Sequence, residues 1–159
     1  MINFKINVVN GKVELDNKCL LIQREEEFIT SDLYKYLESE NKMQKLIPHH
    51  YTVNTVLWSG KEFEIIIQPL CFSNLPFTVQ LIYKEGGYYK AINDWNKVSN
   101  IDMLNKEVEF LYQWVSGEYD LGKPDEKEQH SIMWHLEWGD ITICYDIKSF
   151  NCGIYLTWN

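Results

Sequence analysis

The sequence predicts an α+β fold, a mostly antiparallel sheet built from hairpins and meanders with two helices packed on it. Three observations favour this class. Short segments of alternating apolar and polar residues recur along the 159-residue chain, and this period is typical of half-buried strands. Turn-forming pairs such as Asn-Gly and Ser-Gly separate these segments. Two further segments carry apolar residues at helical spacing. A chain of this length is expected to form a single domain, residues 1–159.

The first predicted element is a hairpin. Alternation from Ile2 to Val8 places four apolar side chains on one face. The pair Asn10-Gly11 follows, and it tolerates the positive φ angles of a type I′ turn. Val13 and Leu15 then continue the return strand.

A charged segment and a short helix come next. The run Glu25–Glu27 interrupts the alternation, and it predicts an exposed loop. Thr30 or Ser31 can cap a helix whose apolar stripe runs from Leu33 to Leu37.

The middle of the chain predicts a meander of three strands. Strands are expected at Tyr51–Trp58, Glu62–Gln68 and Phe77–Tyr83, from their apolar and β-branched residues. The pair Ser59-Gly60 predicts a tight turn between the first two.

A longer helix follows a polar connection. Ser99 and Asp102 resemble a capping box with Asp in place of Glu, and Gly117 suits a C-cap. Between them, five apolar residues recur at helical spacing: Ile101, Leu104, Val108, Leu111 and Val115.

The last part of the chain predicts a second meander. Glu118–Gln129 is expected to be a loop, because it combines Gly, Pro and many charges. A strand at Ser131–Trp138, a turn at Gly139-Asp140 and a final hairpin complete the fold.

The four cysteines predict no metal site. They are Cys19, Cys71, Cys144 and Cys152, and no two have CxxC spacing. A disulfide between Cys144 and Cys152 across the final hairpin stays open at this point. The opening MINFKINVV lacks the pattern of a signal peptide, and no run reaches the length of a membrane span. The expectation is a cytoplasmic protein with reduced thiols.

The four histidines have no metal-binding spacing either. His49 and His50 are adjacent, and His130 lies five residues before His135. Ligand pairs prefer a spacing of two residues on a strand and four on a helix. We therefore predict no metal and no cofactor.

The sequence carries no catalytic signature. The patterns GxSxG and GxGxxG and the Walker loop are absent. Aspartate and glutamate are so abundant that a pair could always be chosen for acid–base work. An uncharacterised hydrolase with a carboxylate-lined cleft therefore remains the alternative to a binding protein.

The net charge of −8 lies in one segment. From Asp102 to Asp146 there are eleven acidic residues and three lysines, whereas the rest of the chain is neutral. Such a patch either keeps the surface solvated or steers a basic partner. Arg24 is the only arginine, so direct nucleic-acid binding is not expected.

Aromatic residues are the second unusual feature. Six Trp and ten Tyr exceed what a core of this size usually needs, and both types favour interfaces. Trp114, Tyr119 and Trp138 are candidate anchors near the acidic segment.

The last third of the chain resembles small bacterial immunity proteins of contact-dependent growth-inhibition and polymorphic toxin systems. The resemblance rests on the helix EVEFLYQWV, on the acidic loop, and on WGDITICYDIK followed by CGIYLTW. It implies a protein that binds and neutralises a cognate toxin domain, a basic nuclease in many such systems. A generic adaptor or a phage-encoded inhibitor is a further alternative.

Charge and aromatic content together predict a toxin-binding surface, with buried anchors supplying affinity and charge supplying orientation. No direct nucleic acid and no membrane is expected among the partners, and the toxin's identity and the oligomeric state stay open. The predicted contact residues are Glu118, Tyr119, Asp120, Asp125, Glu126, Glu128, Trp138 and Asp140.

Overall fold

The computed structural model describes residues 1–70 and 76–159. The strands in these residues are β1 (Ile2–Asn7), β2 (Lys12–Leu15), β3 (Lys18–Leu20), β4 (Met43–Ile47), β5 (His50–Trp58), β6 (Lys61–Gln68), β7 (Thr78–Tyr83), β8 (Glu126–Lys127), β9 (Ser131–Leu136), β10 (Gly139–Asp146) and β11 (Asn151–Trp158). The helices are α1 (Glu25–Phe28), α2 (Asp32–Ser39), α3 (Gly87–Ala91), α4 (Trp95–Val98) and α5 (Ile101–Glu118).

All eleven of these strands belong to one sheet. Its order is β3-β2-β1-β5-β6-β7-β11-β10-β9-β8, with β4 also paired to β5. Named strands in the described residues pair antiparallel, except that β1 runs parallel to β5. The predicted α+β class and the mostly antiparallel sheet are confirmed.

Helix α5 packs against β10 and β11. Four of the five predicted stripe residues are buried, and Ile101 is exposed. Two predicted boundaries are wrong. Asn100, not Ser99, caps the helix, because its side chain accepts from the Met103 N–H; the helix also continues through Gly117 to Glu118.

The two predicted helices correspond to α2 and α5. Ser31 caps α2, with its side chain accepting from the Tyr34 N–H, as predicted. Three short helices were not predicted. Glu25–Glu27 lies in α1 rather than in a loop, because Phe28 is buried in the core and orders this segment.

Of the two dipeptides predicted to form tight turns, only one forms a two-residue turn. Ser59-Gly60 forms the predicted two-residue turn, with both φ angles positive. Asn10-Gly11 does not, because Asn7 pairs with Lys12 and four residues separate them. The turn before the final hairpin is also shifted: β9 ends at Leu136, the turn is Glu137-Trp138, and Gly139 and Asp140 lie inside β10. A Cβ at Gly139 would come within 2.0 Å of the Thr157 carbonyl oxygen, so only glycine fits.

The predicted possibility of a disulfide in the final hairpin is excluded. Cys144 pairs with Gly153, while Cys152 pairs with Tyr145. The two cysteines are therefore one position out of register and point to opposite faces of the sheet. Both are free thiols, and Cys71 lies outside the described residues.

Candidate functional site

Four of the predicted contact residues lie at the β8–β10 end of the sheet. We call Asp125, Glu126, Glu128 and Asp140 the acidic edge. Asp125, Glu126 and Asp140 meet around His135, which pairs with Asp140 across β9 and β10. Sheet pairing therefore brings together residues that are fifteen positions apart in the chain.

His135 is held by three carboxylates. Its Nδ1 lies 2.7 Å from Asp140 Oδ1, and its Nε2 lies 3.5 Å from Glu126 Oε2. Its backbone N–H donates to Asp125 Oδ2 at 2.7 Å. The hydrogen bond to Asp140 and the charges of the three carboxylates raise the pKa of His135. The acidic edge thus favours a cation at its centre.

The acidic edge has no lysine or arginine partner within the described chain. Glu128 faces His130 at 3.4 Å, and the other ion pairs of the edge go to His135. Lys127, between two of these acids in sequence, instead lies 4.3 Å from the centre of the Tyr112 ring. These carboxylates are therefore mostly exposed, and the cationic partners that they have in the described chain are histidines.

Glu118 and Asp120 lie elsewhere, where α5 ends. Both are exposed, and both belong to the segment Ser116–Gly122, which lines a shallow depression. The structure records no contact that joins them to the acidic edge. Of the eight predicted residues, Asp125, Glu126 and Asp140 are brought together around His135.

Two of the three candidate anchors, Trp114 and Tyr119, are half-buried and pack in an aromatic group. Tyr119 accepts a hydrogen bond from Trp58 Nε1 at 2.6 Å. Trp114 packs against Trp58 and Phe63, with ring centres 4.9 and 5.3 Å apart. Both side chains stabilise the junction of α5 with the sheet, so replacing them would disturb the fold as well as any interface.

Trp138 joins the first and last hairpins. Its Nε1 donates to the Val8 carbonyl oxygen at 2.9 Å, and its ring packs on Trp158 at 5.4 Å. A Cβ at Gly11 would lie only 2.5 Å from the Trp138 ring. Trp138 is half-buried, so part of its ring is open to a partner.

A cavity of about 630 Å³ lies beside the first half of α5. Its size is typical of small-molecule pockets. Aromatic, apolar, glycine and charged residues share the lining: Tyr83, Glu85, Gly86, Gly87, Asn100, Asp102, Met103, Lys106, Glu107 and Phe110. We call it the α5 pocket.

Glu107 is the buried carboxyl group of this pocket, with 6% of the residue exposed. Its Oε1 accepts from the Tyr88 N–H at 3.3 Å, whereas Oε2 has no N–H or O–H partner among the described residues. Burial raises the pKa of Glu107, and the Cys152 thiol and the Tyr88 N–H oppose that rise. Because a thiol is a weak donor, Glu107 remains poorly solvated.

Sequence reasoning missed Glu107 and the pocket. Glu107 lies three residues after Leu104 and four before Leu111, on the buried stripe of α5. An acidic residue at such a position is a usable signal, because carboxyl groups are seldom buried without a reason.

Two other features bear on function. In the described part of the chain, no three His, Cys, Asp or Glu side chains are grouped so that they could hold a metal ion. None of the helices in residues 1–70 and 76–159 is both long and apolar enough to cross a membrane.

Comparisons with protein-family models, with curated proteins and with solved structures find no match for this chain. The candidate sites are therefore interpreted from their own geometry and charge.

Proposed function

We propose that this chain is an immunity protein that binds and neutralises a cognate toxin domain, with the acidic edge facing a basic surface of the toxin. One observation supports the proposal: three of the four carboxylates of the edge converge on His135, without a lysine or arginine partner among the described residues. Like charges held together repel one another, and a basic partner would relieve that repulsion.

Steering and affinity have different sources in such a complex. Exposed carboxylates raise the rate of encounter and orient the partner, while buried aromatic anchors supply most of the affinity. Trp138 lies two residues before Asp140 and is half-buried. It is therefore the candidate anchor nearest in sequence to the acidic edge.

The test takes the product of the neighbouring gene as the candidate basic toxin and measures its association with this chain. The triple variant Asp125→Lys, Glu126→Lys, Glu128→Lys should associate at least about tenfold more slowly at low salt, and with weaker salt dependence, because steering is lost. Stopped-flow fluorescence gives the association rate.

A matched control separates local from overall charge. Glu27→Lys, Glu38→Lys, Glu40→Lys makes the same change in net charge at exposed positions in α1, in α2 and at the C-cap of α2. This control should associate nearly as fast as the parent. Equal slowing in both triple variants would mean that net charge alone matters, and an unchanged rate in the edge variant would make the edge a solvated surface.

A hydrolase with a carboxylate-lined cleft is the second candidate, favoured by the α5 pocket. Glu85, Asp102 and Glu107 all line it, and a raised pKa suits Glu107 to the role of general acid. Chromogenic ester, glycoside and amide substrates would detect the activity. Glu107→Gln should then abolish hydrolysis while leaving toxin neutralisation intact.

A further inference from the structure

The loop between β1 and β2 carries Val9, which is 81% exposed and is the most exposed large apolar side chain of the described residues. Single exposed apolar residues are common on protein surfaces, but Val9 differs from them in its surroundings. Its loop is ordered by hydrogen bonds and contacts Trp138, in the turn of the hairpin that carries Asp140. The toxin binding proposed above gives this loop no role.

Hydrogen bonds within the loop hold it in one conformation. The Asn7 side-chain oxygen accepts from the N–H groups of Val9 and Asn10, at 2.9 and 3.3 Å. The Asn10 side chain in turn accepts from the Lys12 N–H at 2.9 Å. The Gly11 N–H donates to the Asn7 carbonyl oxygen at 2.8 Å. A loop that is already ordered loses little further conformational entropy when a partner binds it.

Two tryptophans attach this loop to the other end of the chain. Trp138 Nε1 donates to the Val8 carbonyl oxygen at 2.9 Å, and Trp158 Nε1 donates to the Gly11 carbonyl oxygen at 3.0 Å. These two carbonyl groups flank the exposed tip of the loop. The tip is thereby fixed beside the Trp138 ring, which is itself only half-buried.

The acidic edge begins next to this contact. Trp138 lies in the turn that joins β9 to β10, and one residue pair, Leu136 with Gly139, separates that turn from the pair of His135 and Asp140. A stable complex usually covers about 800 Å² of each partner. A footprint of that size is large enough to include both the loop and the carboxylates around His135. The end of the sheet therefore combines an exposed apolar site with an acidic flank.

We propose that residues 8–11 and Trp138 form the apolar centre of the toxin-binding surface, and that this centre receives an apolar side chain from within a basic surface of the toxin. The inference rests on the immunity function proposed above and gives the N-terminal hairpin a part in it. An apolar group on the toxin would remove Val9 from water, while basic residues around it would face Asp140 and its neighbours. Charge favours the toxin over a second copy of this chain, because two acidic edges brought together would repel each other.

The experiment measures how fast the complex with the candidate toxin, the product of the neighbouring gene, dissociates. Val9→Ala should dissociate at least about fivefold faster than the parent, because two methyl groups are lost from the centre of the interface. Val9→Arg should dissociate faster still and associate more slowly, because it places a positive charge against a basic surface. Val9 is exposed, so both variants should unfold in urea like the parent.

Leu46 provides the matched control. It is 75% exposed and lies on β4, which pairs with β5 and not with β9 or β10. Leu46→Ala and Leu46→Arg should therefore associate and dissociate like the parent. Equal acceleration of dissociation in the Val9 and Leu46 variants would overturn the inference, because it would show no preference for the loop.

The triple variant of the acidic edge separates this inference from the proposed function. Slower association of that variant, with Val9→Ala and Val9→Arg dissociating like the parent, would overturn the apolar centre and leave the immunity proposal in place. Failure of the toxin to bind the parent chain would overturn both. In NMR spectra of the full chain, binding should shift the Val9 methyl and Trp138 Nε1–H signals and leave the Leu46 methyl signals unchanged; the opposite pattern would place the toxin elsewhere.

Discussion

The Glu107 carboxyl group and the carboxylates of the acidic edge differ in what surrounds them. Glu107 is buried, with one oxygen lacking an N–H or O–H partner and a raised pKa. Asp125, Glu126 and Asp140 surround His135 near solvent. A carboxyl group inside the fold lowers stability when it ionises, whereas exposed carboxylates mainly shape the surface field. Four predictions test this difference, from the largest expected effect to the smallest.

Replacing Gly86 with alanine should have the largest effect. The new Cβ would meet the end of the Glu107 side chain, which is itself packed in the core, so the free energy of unfolding should fall by about 2 kcal/mol in urea titration. Gly117→Ala is the control, because nothing lies near that position within α5, and alanine there should be neutral or stabilising. Adding Glu107→Ala to Gly86→Ala should remove part of the cost; strictly additive losses would contradict the contact.

Glu107→Gln should change how stability depends on pH. A carboxyl group whose pKa is raised by folding binds its proton more tightly in the folded state. Its stabilising contribution is complete below the unfolded pKa of about 4.5 and is lost as pH rises through the folded pKa. Above that pKa, Glu107→Gln should therefore gain on the order of 1 kcal/mol relative to the parent. Urea titrations at several pH values measure this, and a constant difference between the two proteins would exclude ionisation of Glu107 as the cause.

Reversing the acidic edge should leave the fold intact. The triple variant Asp125→Lys, Glu126→Lys, Glu128→Lys changes exposed side chains, so the free energy of unfolding should stay within about 0.5 kcal/mol per substitution. Thermal and urea unfolding would measure this. A much larger loss would show that the edge is structural, in contrast to the proposed role in binding.

Asp140→Asn should have the smallest effect, a change in the pKa of His135. The Asp140 hydrogen bond is the largest cause of the raised pKa of His135. Without it, the pKa should fall towards the ordinary value of 6.5. NMR titration of the His135 ring gives the result, with Asp146→Asn as the control on the same strand. A histidine whose pKa is raised by folding stabilises the folded state at pH values below its unfolded pKa, and this stabilisation is lost as the pH rises through its folded pKa. The free energy of unfolding of Asp140→Asn should therefore depend less on pH than that of the parent.

The proposed immunity function stays a prediction. It rests on the charge of one segment and on a resemblance over the last third of the chain. Sheet pairing adds that Asp125, Glu126 and Asp140 lie together, which sequence order alone did not establish.

The sequence by itself determined the elements whose signal is local. Alternation identified the long strands, Ser59-Gly60 a turn, and Ser31 the start of α2. These features depend on side-chain period, on backbone conformation and on a cap within a few residues. The sequence did not predict the edge strand β4 or the short helix α1. β4 is mostly exposed and has no apolar alternation, although it pairs with the neighbouring β5. Helix α1 is ordered by burial of Phe28 in the core.

Only the tertiary structure decided which groups surround each acidic residue. Glu107 and Glu109 lie two positions apart on α5, yet Glu107 faces Tyr88 and the Gly86 turn while Glu109 faces solvent. Strand register likewise placed Cys144 and Cys152 on opposite faces of the sheet. Such outcomes depend on which distant segments pack against a residue, because desolvation and pairing act through space rather than along the chain.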